Sequence, residues 1–143
     1  MEKIKIKYDI SLMGYISLFE RMTHAQIKDC YEDKVLNCLT FIVQPGQLGK
    51  ALGKGASNVR ILQEKIKKKI RVIEFHPNIA DFVRNMVAPL KVDNVEELGD
   101  GTIVITGPDT QTKGLLIGRN AANLRNLENN IRRHFEVKEI KVV

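Results

Sequence analysis

The chain has no tryptophan and only 6% aromatic residues. Its five phenylalanines, Phe19, Phe41, Phe75, Phe82 and Phe135, fall on apolar faces or strand ends and read as core. That pattern argues against a sheet that stacks bases on several exposed rings. Long apolar runs are missing as well. Leu115-Leu116-Ile117 and Met86-Val87-Ala88 are core-sized, far short of the roughly 20 residues of a membrane span. Residues Met1–Lys7 alternate charge with isoleucine, which predicts a strand rather than a signal peptide, so a cytoplasmic address is expected. The only two cysteines, Cys30 and Cys38, flank Asp33-Lys34, a spacing that a hairpin can close. Reduced strand thiols are the favoured reading in that compartment, and no third thiol or nearby histidine completes a metal site. His24, His76 and His134 are scattered, without a nucleophile or paired carboxylates around them. No enzyme chemistry and no cofactor is therefore expected. Gly46–Gly55 also fails as a nucleotide loop, because Gly49 precedes Gly53 too closely and Gly55 holds the Ser/Thr slot.

What the chain does have is unevenly placed positive charge. The formal net charge is +6. Residues 1–75 hold 14 basic and 8 acidic side chains, whereas residues 76–143 hold 9 of each. Within these halves the window 47–71 has eight Lys/Arg against Glu64 alone, and the window 113–133 has five against Glu128 alone. Clustering of this kind attracts a polyanion better than uniform basicity does. The run Lys67-Lys68-Lys69 belongs to the first window. A solvated helix end explains it equally well, so it counts only as electrostatic support.

Each basic window surrounds the same motif. Gly49–Val72 matches Gly114–Val137 without gaps, with eight identities in 24 positions. Chance would give about one or two, so a structural unit is used twice. The identities are Gly49/Gly114, Gly53/Gly118, Ala56/Ala121, Asn58/Asn123, Arg60/Arg125, Leu62/Leu127, Ile66/Ile131 and Val72/Val137. After the motif, Val59, Leu62 and Ile66 (or Leu124, Leu127 and Ile131) recur at helical spacing. A strand then follows, at Ile70–Phe75 or Val137–Val142. Before it, strands are expected at Ile27–Asp33 and Leu36–Gln44, and at Leu90–Leu98 and Thr102–Gly107. Upstream helices carry Leu12, Ile16, Phe19 and Met22, or Ile79, Phe82, Val83 and Met86, on one face. Each copy reads helix, strand, strand, helix, helix, strand, which is an α+β class. The copies are expected at residues 1–75 and 76–143. The junction Glu74–Asn78 is short, and Pro77 suits the first turn of the next helix, so the copies are expected to act as one unit.

The motif itself is Gly53-Lys54-Gly55-Ala56, leading to Asn58 and Arg60. In the second copy it is Gly118-Arg119-Asn120-Ala121, leading to Asn123 and Arg125. A glycine ends one helix, a cation follows, and another helix starts. Such a turn admits a ligand to its backbone, and free N–H groups at a helix start bind phosphate oxygens. A glycine pair between helices is ordinarily only a tight turn. Repetition, the cations Lys54 and Arg119, and the local charge favour the ligand reading. Leu52, Val59, Ile117 and Leu124 are candidates for an apolar groove floor, although the core can equally claim them.

This order of elements and this loop resemble the type II KH domain, whose GXXG loop clamps a short single strand. Two such domains in one short chain resemble the archaeal NusA-like transcription termination/antitermination factors, along essentially the whole sequence. The resemblance implies two tandem KH domains, each a three-stranded mixed sheet packed on helices. It also implies no polymerase-binding or S1 segments of the bacterial kind. Single-stranded RNA is the implied partner, with RNA polymerase as a further one, and neither a membrane nor a small-molecule substrate. The implied RNA-binding residues are Gly53, Lys54, Gly55, Ala56, Asn58 and Arg60, with Gly118, Arg119, Asn120, Ala121, Asn123 and Arg125. Alanine replaces the family's last loop glycine in both copies, and at a helix start it is expected to be comfortable. A degenerate module that docks on polymerase or ribosome is the alternative.

Overall fold

The computed structural model describes residues Tyr8–Val143, so the strand expected over Met1–Lys7 lies outside the described residues. The chain divides between His76 and Pro77 into two compact units.

In the first unit, α1 (Ile10–Thr23) starts at Asp9, whose Oδ1 accepts the Leu12 N–H at 2.8 Å. It stops at His24, in the left-handed conformation with φ 60°. Of its predicted apolar face, Phe19 is fully buried, while Leu12, Ile16 and Met22 pack at the edge of the same core. Strands β1 (Ile27–Asp33) and β2 (Cys38–Val43) pair antiparallel. β2 begins later than expected because Asp33 Oδ1 accepts the N–H groups of Val35 and Leu36, winding Leu36 into the turn. After α2 (Leu48–Leu52) and α3 (Ser57–Ile66), β3 (Ile70–Glu74) returns parallel to β2. All six residues of central strand β2 are buried. Leu39, Phe41 and Val43 join Phe19, Ala51 and Leu62 in the core, with the rings of Phe19 and Phe41 stacked 4.2 Å apart. Burial is worth about 1.5–3 kcal/mol for each such side chain, so this cluster carries the unit. Cys30 and Cys38 are both buried thiols outside any disulfide, and they are not cross-strand partners.

The second unit repeats the order with α4 (Ile79–Val87), β4 (Asn94–Glu97), β5 (Thr102–Thr106), α5 (Thr110–Ile117), α6 (Ala122–Arg132) and β6 (Glu139–Val142). β4 pairs antiparallel and β6 parallel with β5, so both sheets keep the strand order 1-2-3. Ile79, Phe82, Val83 and Met86 are all buried, as their spacing predicts. Pro77 does not begin this helix. Asn78 caps it, accepting the Asp81 N–H at 3.2 Å, and Pro77 lies outside. β4 starts well after Leu90, whose N–H turns back to Val87 O at 3.0 Å.

The ungapped repeat also ends sooner than the sequence match suggests. Phe75 N–H donates to Val43 O, and Val143 N–H to Ile105 O, so these positions are equivalent in the two sheets. Val72 pairs with Phe41, and its counterpart is Ile140, paired with Ile103. Val137 is buried but precedes β6. A longer connection between α6 and β6 accounts for the shift, since a strand is placed by its ladder and not by its distance from the helix.

Candidate nucleic-acid interface

Helices α2 and α3 meet at Gly53, and helices α5 and α6 meet at Gly118. The two loops have one backbone. Gly53 has φ 71°, ψ 179°, and Gly118 has φ 73°, ψ 176°, a region open essentially to glycine alone. Two left-handed residues follow in each: Gly55 (φ 61°) and Ala56 (φ 58°), then Asn120 (φ 54°) and Ala121 (φ 60°). The second helix therefore does not start directly after the cation, as the sequence suggested. Nor are the alanines comfortable, since a Cβ in left-handed geometry costs about 1–2 kcal/mol. Ala56→Gly is accordingly expected to stabilise the first unit by about 0.5–1 kcal/mol, after the entropy cost of glycine. Urea unfolding followed by tyrosine fluorescence reads this unit, because Tyr8, Tyr15 and Tyr31 all precede His76. A loss of stability would show that the left-handed alanine is not strained.

The asparagines expected to face a ligand hold the turn. Asn58 Nδ2 donates to Lys50 O at 3.2 Å, and Asn123 Nδ2 to Leu115 O at 3.0 Å. Each satisfies a carbonyl that the end of the preceding helix leaves open. Each also lies against its glycine, where a Cβ on Gly53 would stand 2.8 Å from Asn58 Nδ2. The outcome is an exposed loop tip. The Ala56 N–H closes on Gly53 O and the Ala121 N–H on Gly118 O, both at 3.2 Å. The N–H groups of Lys54 and Gly55, and of Arg119 and Asn120, donate to no other group among the described residues. Lys54 and Arg119 are exposed beside them. Consecutive free amides under a cation make a concave site for an anion.

The two arginines part company. The Arg60 guanidinium donates from Nη1 to Gly55 O and stays at the first loop. Arg125 Nη1 instead pairs with Glu128 Oε1 at 2.6 Å, while the buried Glu128 also accepts the Ile140 N–H through Oε2 at 2.8 Å. Gln63 stands at the matching position of α3 and accepts the Ile70 N–H at 3.0 Å. Sequence reading missed both of these strand clamps. Their only signal was a Gln/Glu pair repeated beside Leu62 and Leu127. Of the candidate groove residues, Val59 packs on the core and Leu124 is buried, while Leu52 and Ile117 stay partly exposed. Asp109, the cap of α5, has its carboxyl held below the usual range by the Thr112 backbone N–H. That cap anchors the helix leading into the second loop.

Residues 14–98, more than half of the chain, match the KH domain family. A relative from Methanocaldococcus jannaschii, described as "Probable transcription termination protein NusA", is 32% identical over 143 residues, spanning 97% of this chain and 76% of that protein. The chain belongs to the archaeal NusA-like KH family. Another relative described in the same words, from Thermoplasma acidophilum, is 26% identical over 144 residues and covers 99% of both chains. Among solved structures, the crystal structure of APE1850 resembles this NusA-like chain with a TM-score of 0.73 and 27% identity, over 95% of this chain and all of that one.

Proposed function

We propose that the chain is a single-stranded RNA-binding protein of two tandem type II KH modules that acts in transcription termination or antitermination, without enzymatic activity. The observation that carries this reading is the doubled loop, with two free amides and an exposed cation at the same backbone geometry each time. Phosphates of a strand sit over Lys54-Gly55 and Arg119-Asn120, while Gly53, Gly118, Asn58 and Asn123 hold the turns, Ala56 and Ala121 close them, and Arg60 adds charge to the first. The relatives' names, which speak of transcription termination, support a transcript as the RNA; in this reading the chain works in the cytoplasm with RNA polymerase as a neighbouring partner. Base edges are readable only where unpaired, so single strands are preferred to duplex. Anisotropy titrations of an unstructured RNA and of its duplex, at about 50 and about 200 mM salt, test this. Tighter single-strand binding that weakens with salt is the expected result. Equal affinity for duplex, or a flat salt response, refutes it.

A second reading, in which the second unit docks on polymerase or ribosome, draws on the Arg125–Glu128 pair, which removes a cation from that loop.

A further inference from the structure

At the far end of α3 from its loop, Lys67, Lys68 and Lys69 face Glu32, Asp33 and Lys34 across an open concavity of about 520 Å³. Its charges are unequally committed. Lys68 pairs with Glu32 at 3.1 Å, with both side chains well exposed, and such a surface pair is worth at most about 1 kcal/mol and is readily exchanged. Asp33 spends its Oδ1 on the turn amides of Val35 and Leu36. Lys34, Lys67 and Lys69 are exposed and make no ion pair among the described residues.

The helix dipole favours a cation at this end, but Lys65 in the last turn already serves it, and Lys68 and Lys69 lie beyond the helix. The second unit shows what a structural cation looks like here. Arg132, the counterpart of Lys67, donates from Nε to Val137 O at 2.9 Å and from Nη2 to Lys138 O at 2.6 Å, tying down the connection to β6. The shorter connection in the first unit needs no such tie, and its lysine side chains hold no backbone among the described residues. They are left facing a cavity.

We propose that this concavity is a second phosphate-binding surface, taking the backbone of an RNA strand beyond the part held at Gly53–Ala56. The proposal rests on the RNA reading above. The ten residues of α3 rise about 15 Å between the two places, so one strand reaches both while a short oligonucleotide occupies only the loop. Lysine point charges fit this role, since they hold phosphates without reading sequence.

The test uses the full chain carrying Lys34→Gln, Lys67→Asn and Lys69→Gln together. Asparagine is chosen because residue 67 has φ 63°, which asparagine tolerates. Lys68 is kept, so its pair with Glu32 stays. The probes are an unstructured uridine-rich RNA of about 20 nucleotides and a tetranucleotide of the same composition, titrated between about 50 and 200 mM salt, with circular dichroism as the folding control. Affinity for the long RNA is expected to fall about tenfold at the low-salt end, with the log–log salt slope shallower by about 2, at roughly 0.7 per lost phosphate contact. The tetranucleotide should bind as before. A wild-type chain that ignores both RNAs overturns the RNA reading and this proposal with it. A wild type that binds normally, with a folded variant that matches it in affinity and slope, overturns this proposal alone and leaves the lysines to an acidic protein surface.

Discussion

Reversing the cation in both loops, Lys54→Asp together with Arg119→Asp, is expected to lower affinity for single-stranded RNA by a hundredfold or more. A hydrogen bond to a charged group contributes about 1.5–3 kcal/mol, so losing one at each loop costs about 3–6 kcal/mol, and each 1.4 kcal/mol is a factor of about ten. The new carboxylates add repulsion to the phosphates on top of that loss. Both side chains are exposed and neither takes part in the turn, so the urea midpoint should stay where it is. The single variants should be unequal. Arg60 remains at the first loop, while Arg125 is neutralised by Glu128 in the second, so Lys54→Asp disturbs the more positive site and should cost more. Parallel titrations at low salt decide the matter. A double variant that binds within threefold of wild type would remove the loops from the interface. A larger loss from Arg119→Asp would show that the planar guanidinium outweighs local charge.

Gly118→Ala and Gly53→Ala should each destabilise their own unit, by about 2–4 kcal/mol. The backbone conformation alone costs a residue with a Cβ about 1–3 kcal/mol. The methyl then meets the clasp. At Gly53 it lies 2.8 Å from Asn58 Nδ2 and 2.9 Å from Cγ, and at Gly118 it lies 2.6 Å from Asn123 Cγ and 2.9 Å from Cβ. An asparagine tip can swing aside by giving up its carbonyl, a further loss of about 1 kcal/mol. A Cβ cannot swing, so Gly118→Ala should be the costlier of the two. In urea unfolding, tyrosine fluorescence follows the first unit alone, whereas circular dichroism sums both units, so a dichroism change that does not coincide with the fluorescence reads the second. Gly55→Ala serves as the contrast, because nothing lies within 4 Å of its added methyl and only the left-handed penalty of about 1–2 kcal/mol applies. If Gly118→Ala unfolds like wild type, the glycine is not what the turn depends on.

Much of this was legible in the residues because it is periodic or repeated. Helical spacing picked out Ile79, Phe82, Val83 and Met86, all of them buried, since a face is defined by local geometry alone. The ungapped repeat located both loops, because an equal number of residues separates each glycine from its asparagine and its helix. The different partners of Arg60 and Arg125 were legible too, because a carboxylate stands at Glu128, three residues along the same helix, where α3 has Gln63. Two things were decided only by tertiary structure. The last strand took its register from β5 and left Val137 outside it. Lys67–Lys69 became the wall of a cavity only when the β1–β2 turn came to face them. In each case the outcome depends on which group arrives within hydrogen-bonding or Coulombic reach from a distant part of the chain. Spacing along one segment carries no record of that meeting.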